Sequence, residues 1–158
     1  MSPTFRAAAL ALPVLLAAAG AARADTDRNA SAPALHPKYR AECAACHIAY
    51  PPDMLPASSW QRLLRNLPQH FGTDASLDPA TVQALSQWLT AHAGSPRRVG
   101  EAPPQDRITR SPWFLRQHDE VRPATWKLPA VKSPANCAAC HPKADQGDFD
   151  ERRVRIPR

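Results

Sequence analysis

The chain has 158 residues, of which 18 are proline and 44% are hydrophobic, and it carries a formal charge of +6. This length allows one domain or two very small ones. Proline lacks a backbone donor, so its abundance limits long helices and argues against central strands. A core built from apolar side chains alone is not expected, and something else must complete it.

Residues 1–24 read as a cleaved export signal. Arg6 gives a weak positive start, Ala7 to Ala19 form the apolar run, and Ala22-Arg23-Ala24 offers a small-x-small site ahead of Asp25. The run is shorter than the ~20 apolar residues of a spanning helix, and Pro13 interrupts it, so stable membrane insertion is not expected. Because Arg6 and Arg23 leave with the signal, the rest of the chain keeps only +4. That small excess, on an exported chain, does not support nucleic-acid binding.

Asp25 to Pro33 is a polar lead-in, and 25–95 read as a first lobe. Ser58 or Ser59 can cap a helix carrying Trp60, Leu63, Leu64 and Leu67, which Pro68 stops. His70 follows in a turn where Gly72 can take positive φ. Asp78 and Pro79 start a second helix with Val82, Leu85, Trp88 and Leu89 on one face, and Gly94 is placed to end it. Residues 96–104 have linker composition. A second lobe over 105–142 opens with Ser111-Pro112 and a short helix whose Phe114, Leu115, His118 and Val121 share one side. The charged tail, 143–158, is expected to have little order.

Two copies of C-x-x-C-H stand out: Cys43-Ala44-Ala45-Cys46-His47 and Cys137-Ala138-Ala139-Cys140-His141. This is the spacing of covalent haem attachment. Two intervening residues let one turn present both thiols to the vinyl groups on one side of a porphyrin. The next residue then places its imidazole over the iron as proximal ligand. A Cys₄ zinc site leaves both histidines unexplained. A disulfide across two residues is a tight, redox-active loop rather than a structural bridge. A thioredoxin-like pair needs an alternating strand–helix context that neither motif has. Two copies behind an export signal therefore point to two covalently bound haem c groups in an exported protein. Their propionates would bring the holoprotein close to neutrality.

The chain resembles the dihaem cytochrome c family of bacterial periplasmic electron carriers. The matching segments are ECAACHIAYPP (42–52), LPASSW (55–60), HFGTDA (70–75), WFLRQHDEV (113–121) and NCAACH (136–141). The resemblance implies a mainly α fold with two small haem-binding lobes. The first is similar to a class I cytochrome c; the second has few helices and much irregular structure. It also implies bis-histidine iron in both lobes and protein redox partners: a monohaem oxygen-binding cytochrome and a membrane electron donor.

Which side chains complete the two irons decides between electron transfer and ligand chemistry. Met54 lies too near His47 and is read as an apolar contact. His36, His70, His92 and His118 remain. His118 follows Phe114 by one turn on an apolar side, and His70 sits in a turn where the ring can approach an iron. His92 continues the line Val82, Leu85, Leu89, and it equally suits the last turn of its helix as a cap. Periodicity does not separate His70 from His92; the family resemblance falls on His70 and His118. With histidine on both faces, each iron is expected to be low-spin, at a lower potential than a His/Met site. The chain then reads as an electron carrier rather than an enzyme. Alternatives are the small dihaem subunit of a periplasmic nitrate reductase, whose motifs should lie closer together, and a haem sensor with one open iron face.

Overall fold

Helix α1, Pro37–Cys43, begins directly after its cap residue His36. Proline at the first helical position needs no hydrogen-bond partner, and the His36 Nδ1 accepts from the Lys38 amide at 3.2 Å. The helix brings Tyr39 inward and delivers Cys43 at its last residue. The computed structural model describes residues 35–158; the export signal and the lead-in to Pro33 lie outside the described residues.

Helix α2, Ala57–Arg65, starts behind Pro56, ahead of both serines expected to cap it. Ser59 is instead wholly buried inside its first turn. Trp60 and Leu64 point into the core, Leu63 is half-buried, and the Trp60 indole donates to the Pro52 carbonyl at 2.7 Å. The helix ends at Arg65, short of Leu67 and Pro68, which lie instead in a 3₁₀ turn over Leu67–Gln69. Helix α3, Pro79–Ala91, has the expected start: the Asp78 carboxylate accepts from the Thr81 amide at 3.0 Å. Leu85 and Leu89 are its most deeply buried residues.

These three helices close around Tyr39, Leu55, Trp60, Leu64, Leu67, Leu85 and Leu89. Tyr39 meets Trp60 edge-on at 6.4 Å and Trp88 at 5.4 Å between ring centroids. Aromatic pairs in such geometries contribute beyond the area they bury.

The stretch 96–104 is more structured than its linker composition suggests. Helix α4, Pro96–Val99, buries Val99, and Arg98 pairs with Asp53 at 2.9 Å. Gly94 does not itself end α3, whose C-cap is His92. It is instead a point of close approach: a Cβ there would come within 2.5 Å of the Asp53 carbonyl oxygen and 2.6 Å of Val99 Cγ1.

Helix α5, Pro112–Gln117, starts at Ser111, whose hydroxyl accepts from the Phe114 amide at 3.3 Å. Phe114 is buried, but Leu115 is 58% exposed, so it does not share the inward side assigned to it. With only six residues, the helix has room for one strongly inward position. The remainder is short 3₁₀ turns around Val131 and Ala144, both essentially inaccessible. Among the described residues there is no strand, only the isolated bridge of His70 with Thr73.

The tail is ordered, contrary to expectation. Residues Ala144–Gln146 and Glu151–Arg153 form 3₁₀ turns, and the Arg155 amide donates to the Cys140 carbonyl at 2.9 Å. Its charges neutralise one another locally: Asp150 accepts from Arg152 at 2.6 Å and Asp148 from Arg153 at 2.7 Å. Composition registered the charge but not this pairing.

Candidate haem-binding sites

In the first motif Cys43 ends α1 and Cys46 and His47 follow in an exposed turn. The His47 Nδ1 lies 2.6 Å from the Ile48 carbonyl oxygen. A carbonyl only accepts, so this bond places the proton on Nδ1 and leaves the Nε2 lone pair outward. In the second motif Cys137–Ala139 form a 3₁₀ turn, and the His141 amide donates to the Cys137 carbonyl at 2.8 Å. The first motif thus runs off the end of a helix into a turn, and the second is closed by its own backbone bond.

No disulfide joins any of the four cysteines. Burial pushes the Cys43 and Cys137 thiols up to about 11 and also raises Cys140. Nucleophilic redox cysteines need the opposite shift, which Cys43, Cys137 and Cys140 do not have. Nor do three or more cysteine, histidine or acidic side chains gather into one metal-holding group among the described residues. That arrangement does not support a shared Cys₄ zinc site.

The histidines sort themselves by neighbour. His47 and His70 face each other with ring centroids 6.1 Å apart and planes 28° from parallel. His118 and His141 lie 6.3 Å apart at 71°. His92 is turned elsewhere. It caps α3, packs on Trp88 at 4.8 Å, and donates from Nδ1 to the Trp88 carbonyl at 2.8 Å. His36 also packs near Trp88, 5.7 Å between ring centroids. Met54 contributes its carbonyl, which accepts from the Trp113 indole at 3.2 Å.

A tight turn delivers His70. Its carbonyl accepts from the Thr73 amide at 3.0 Å, and Phe71 and Gly72 between them have φ of 52° and 96°. Glycine makes the second of these easy, as expected; Phe71 in the left-handed region is strained. The Arg107 guanidinium sits over the Phe71 ring at 4.3 Å and helps hold it. Burial, and then the neighbouring His47, hold His70 below the usual imidazole range. Its Nδ1 is buried without a hydrogen-bond partner. His118 is delivered by the end of α5: its Nδ1 donates to the Phe114 carbonyl at 2.8 Å, freeing Nε2. His141 is likewise lowered, by burial and then by His118. Neutral imidazoles with a bare nitrogen suit an iron, so these residues fit the group the motifs call for.

A model of the dihaem cytochrome c family matches residues 39–149. The chain belongs to the dihaem cytochrome c family. Two solved structures agree with it. The dihaem cytochrome c from Shewanella baltica is 39% identical, with a TM-score of 0.68 over 77% of this chain and 92% of that one. A dihaem cytochrome c from Rhodobacter sphaeroides is 43% identical, with a TM-score of 0.65 over 73% and 98%. No curated protein matches this chain. Membership brings two covalently bound haem c groups to this dihaem cytochrome. The mainly α fold read from the sequence is the fold these structures share. The family is generally one of electron carriers, and such cytochromes are typically exported. No helix among the described residues is long and apolar enough to cross a membrane.

The sequence reading overlooked three side chains around these rings. Tyr50 stacks on His47 at 4.9 Å and 26°. Trp126 stands 5.9 Å from His118, and Phe149 stands 5.2 Å from His141. Their aromatic character was visible; no periodicity tied them to the histidines.

Proposed function

We propose that this protein is a periplasmic one-electron carrier with two low-spin, bis-histidine haems. Cys43, Cys46, Cys137 and Cys140 bond the haems, with His47 and His70 on one iron and His141 and His118 on the other. The observation that carries the reading is the pair of facing imidazoles. Rings on opposite sides of one metal, each nitrogen about 2 Å from it, have centroids roughly 6 Å apart. Both separations, 6.1 and 6.3 Å, meet that requirement.

Each haem, when bound, supplies a ferric/ferrous couple. The chain's own residues do the rest. With a histidine from each pair on its iron, each haem would have no open face for oxygen or peroxide and would keep the same ligands in both oxidation states. Histidine in place of methionine favours a lower potential. The backbone bonds from Nδ1 of His47 and His118 fix ring orientation and keep each Nε2 unprotonated. Docking of protein redox partners, such as an oxygen-binding monohaem cytochrome or a membrane donor, would use exposed haem edges and the arginines near them.

Visible spectra of three variants test the ligand assignment. His70→Ala and His118→Ala should each convert one haem to a high-spin form that binds carbon monoxide when reduced. His92→Ala should leave both haems low-spin. A high-spin shift in His92→Ala, or none in the other two, rejects the assignment.

A further inference from the structure

Tyr50 belongs to the first half of the chain yet touches both the first attachment motif and the chain just ahead of the second. Its ring lies on His47, 4.9 Å between centroids and 26° from parallel. Its hydroxyl donates to the Ala135 carbonyl at 2.9 Å, across 85 residues of sequence. The Cys137 sulfur lies 3.7 Å from that same oxygen. A thioether sulfur has no proton to donate, so what survives haem attachment there is closeness rather than a bond. The backbone of Tyr50 is fixed in turn, because the buried Tyr39 hydroxyl donates to its carbonyl at 2.9 Å.

We propose that Tyr50 is a positioning residue that links the two haems: it ties the imidazole on one iron to the loop whose sulfur holds the other porphyrin. This rests on the two-haem electron-carrier reading above. The link fixes how far apart the haems stand and provides a short contact path from His47 through the phenol and the Ala135 carbonyl to Cys137. One electron passes from a ferrous to a ferric iron. No bond forms or breaks, and Tyr50 keeps its phenolic proton throughout.

A second cross-connection provides the control. The Trp113 indole donates to the Met54 carbonyl at 3.2 Å and also spans the two halves, but it meets neither motif. The experiment is pulse-radiolytic reduction of the fully oxidised holoprotein, followed by the absorbance change as the electron equilibrates between the haems. Tyr50→Phe keeps the ring on His47 and loses the bond to Ala135. Its equilibration should slow about fivefold, the population ratio that one ordinary hydrogen bond controls. Trp113→Phe should equilibrate at the native rate. Haem content and the low-spin spectrum, recorded on the same samples, report separately on the two-haem reading. If Tyr50→Phe does not accumulate with both haems, Tyr39→Phe loosens Tyr50 through its backbone, and the same slowing is expected. Native equilibration in the tyrosine variant that carries both haems, or equal slowing in Trp113→Phe, overturns the proposal.

Discussion

The His118 ring lies over Phe114 at 4.0 Å between centroids and 21° from parallel, and it donates to the carbonyl of the same residue. One residue thus fixes the imidazole twice, by its ring and by its backbone. The backbone bond survives any substitution at 114; the stack does not.

Phe114→Leu should therefore loosen His118 without misdirecting it. The lost aromatic pair contributes about 0.5–1.5 kcal/mol beyond buried area. Urea unfolding should show a loss of that order. Carbon monoxide should bind the reduced second haem faster than in the native protein, while the first haem stays closed. Identical carbon monoxide kinetics in the two proteins would show that the stack does not restrain the ligand.

Gly94→Ala should destabilise the first half by about 1–3 kcal/mol, the usual cost of overpacking. The added methyl meets the Asp53 carbonyl, which belongs to the main chain and has little freedom to retreat. The Gly94 amide also donates to the Leu55 carbonyl at 2.9 Å, which pins the same segment. Thermal melting measures the loss, and both haems should remain attached.

Asp106 gives the protein a share of its acid sensitivity. Burial opposes ionisation of its carboxyl, but hydrogen bonds from Arg62 and Ser59 and the guanidinium charge outweigh it, and the net direction is downward. Arg62 grips both carboxylate oxygens, at 2.9 and 2.6 Å. A carboxyl lowered in the fold contributes stability that is present above the unfolded value of about 3.9. That stability drains away as pH falls through the folded value. Melting temperature should thus fall from about pH 5 downward, and less steeply in Asp106→Asn. Asp78, Asp148 and Asp150 are lowered too, so only the difference between the proteins reports on Asp106.

What could be read from the sequence was what depends on near neighbours. C-x-x-C-H, Asp78-Pro79 and Ser111-Pro112 specify local turns, and all three adopt them. His92 and His70 could not be told apart, because both sit at the ends of apolar runs. What separates them is the direction of each ring: His92 turns back onto Trp88 one turn earlier in its own helix, while a left-handed turn at Phe71 and Gly72 brings His70 to His47, which only the tertiary fold reveals. Tyr50 was invisible for a similar reason, since its partner lies 85 residues away. The tail was misjudged because charge density resembles disorder until its aspartates and arginines are seen to pair.

The facing pairs, 47 with 70 and 118 with 141, follow one another along the chain without interleaving. On the proposed ligand assignment, each loop would consequently close around its own iron without threading through the other. Inheritance could then act on the donor sets one at a time, retuning one pigment while the other kept both its histidines.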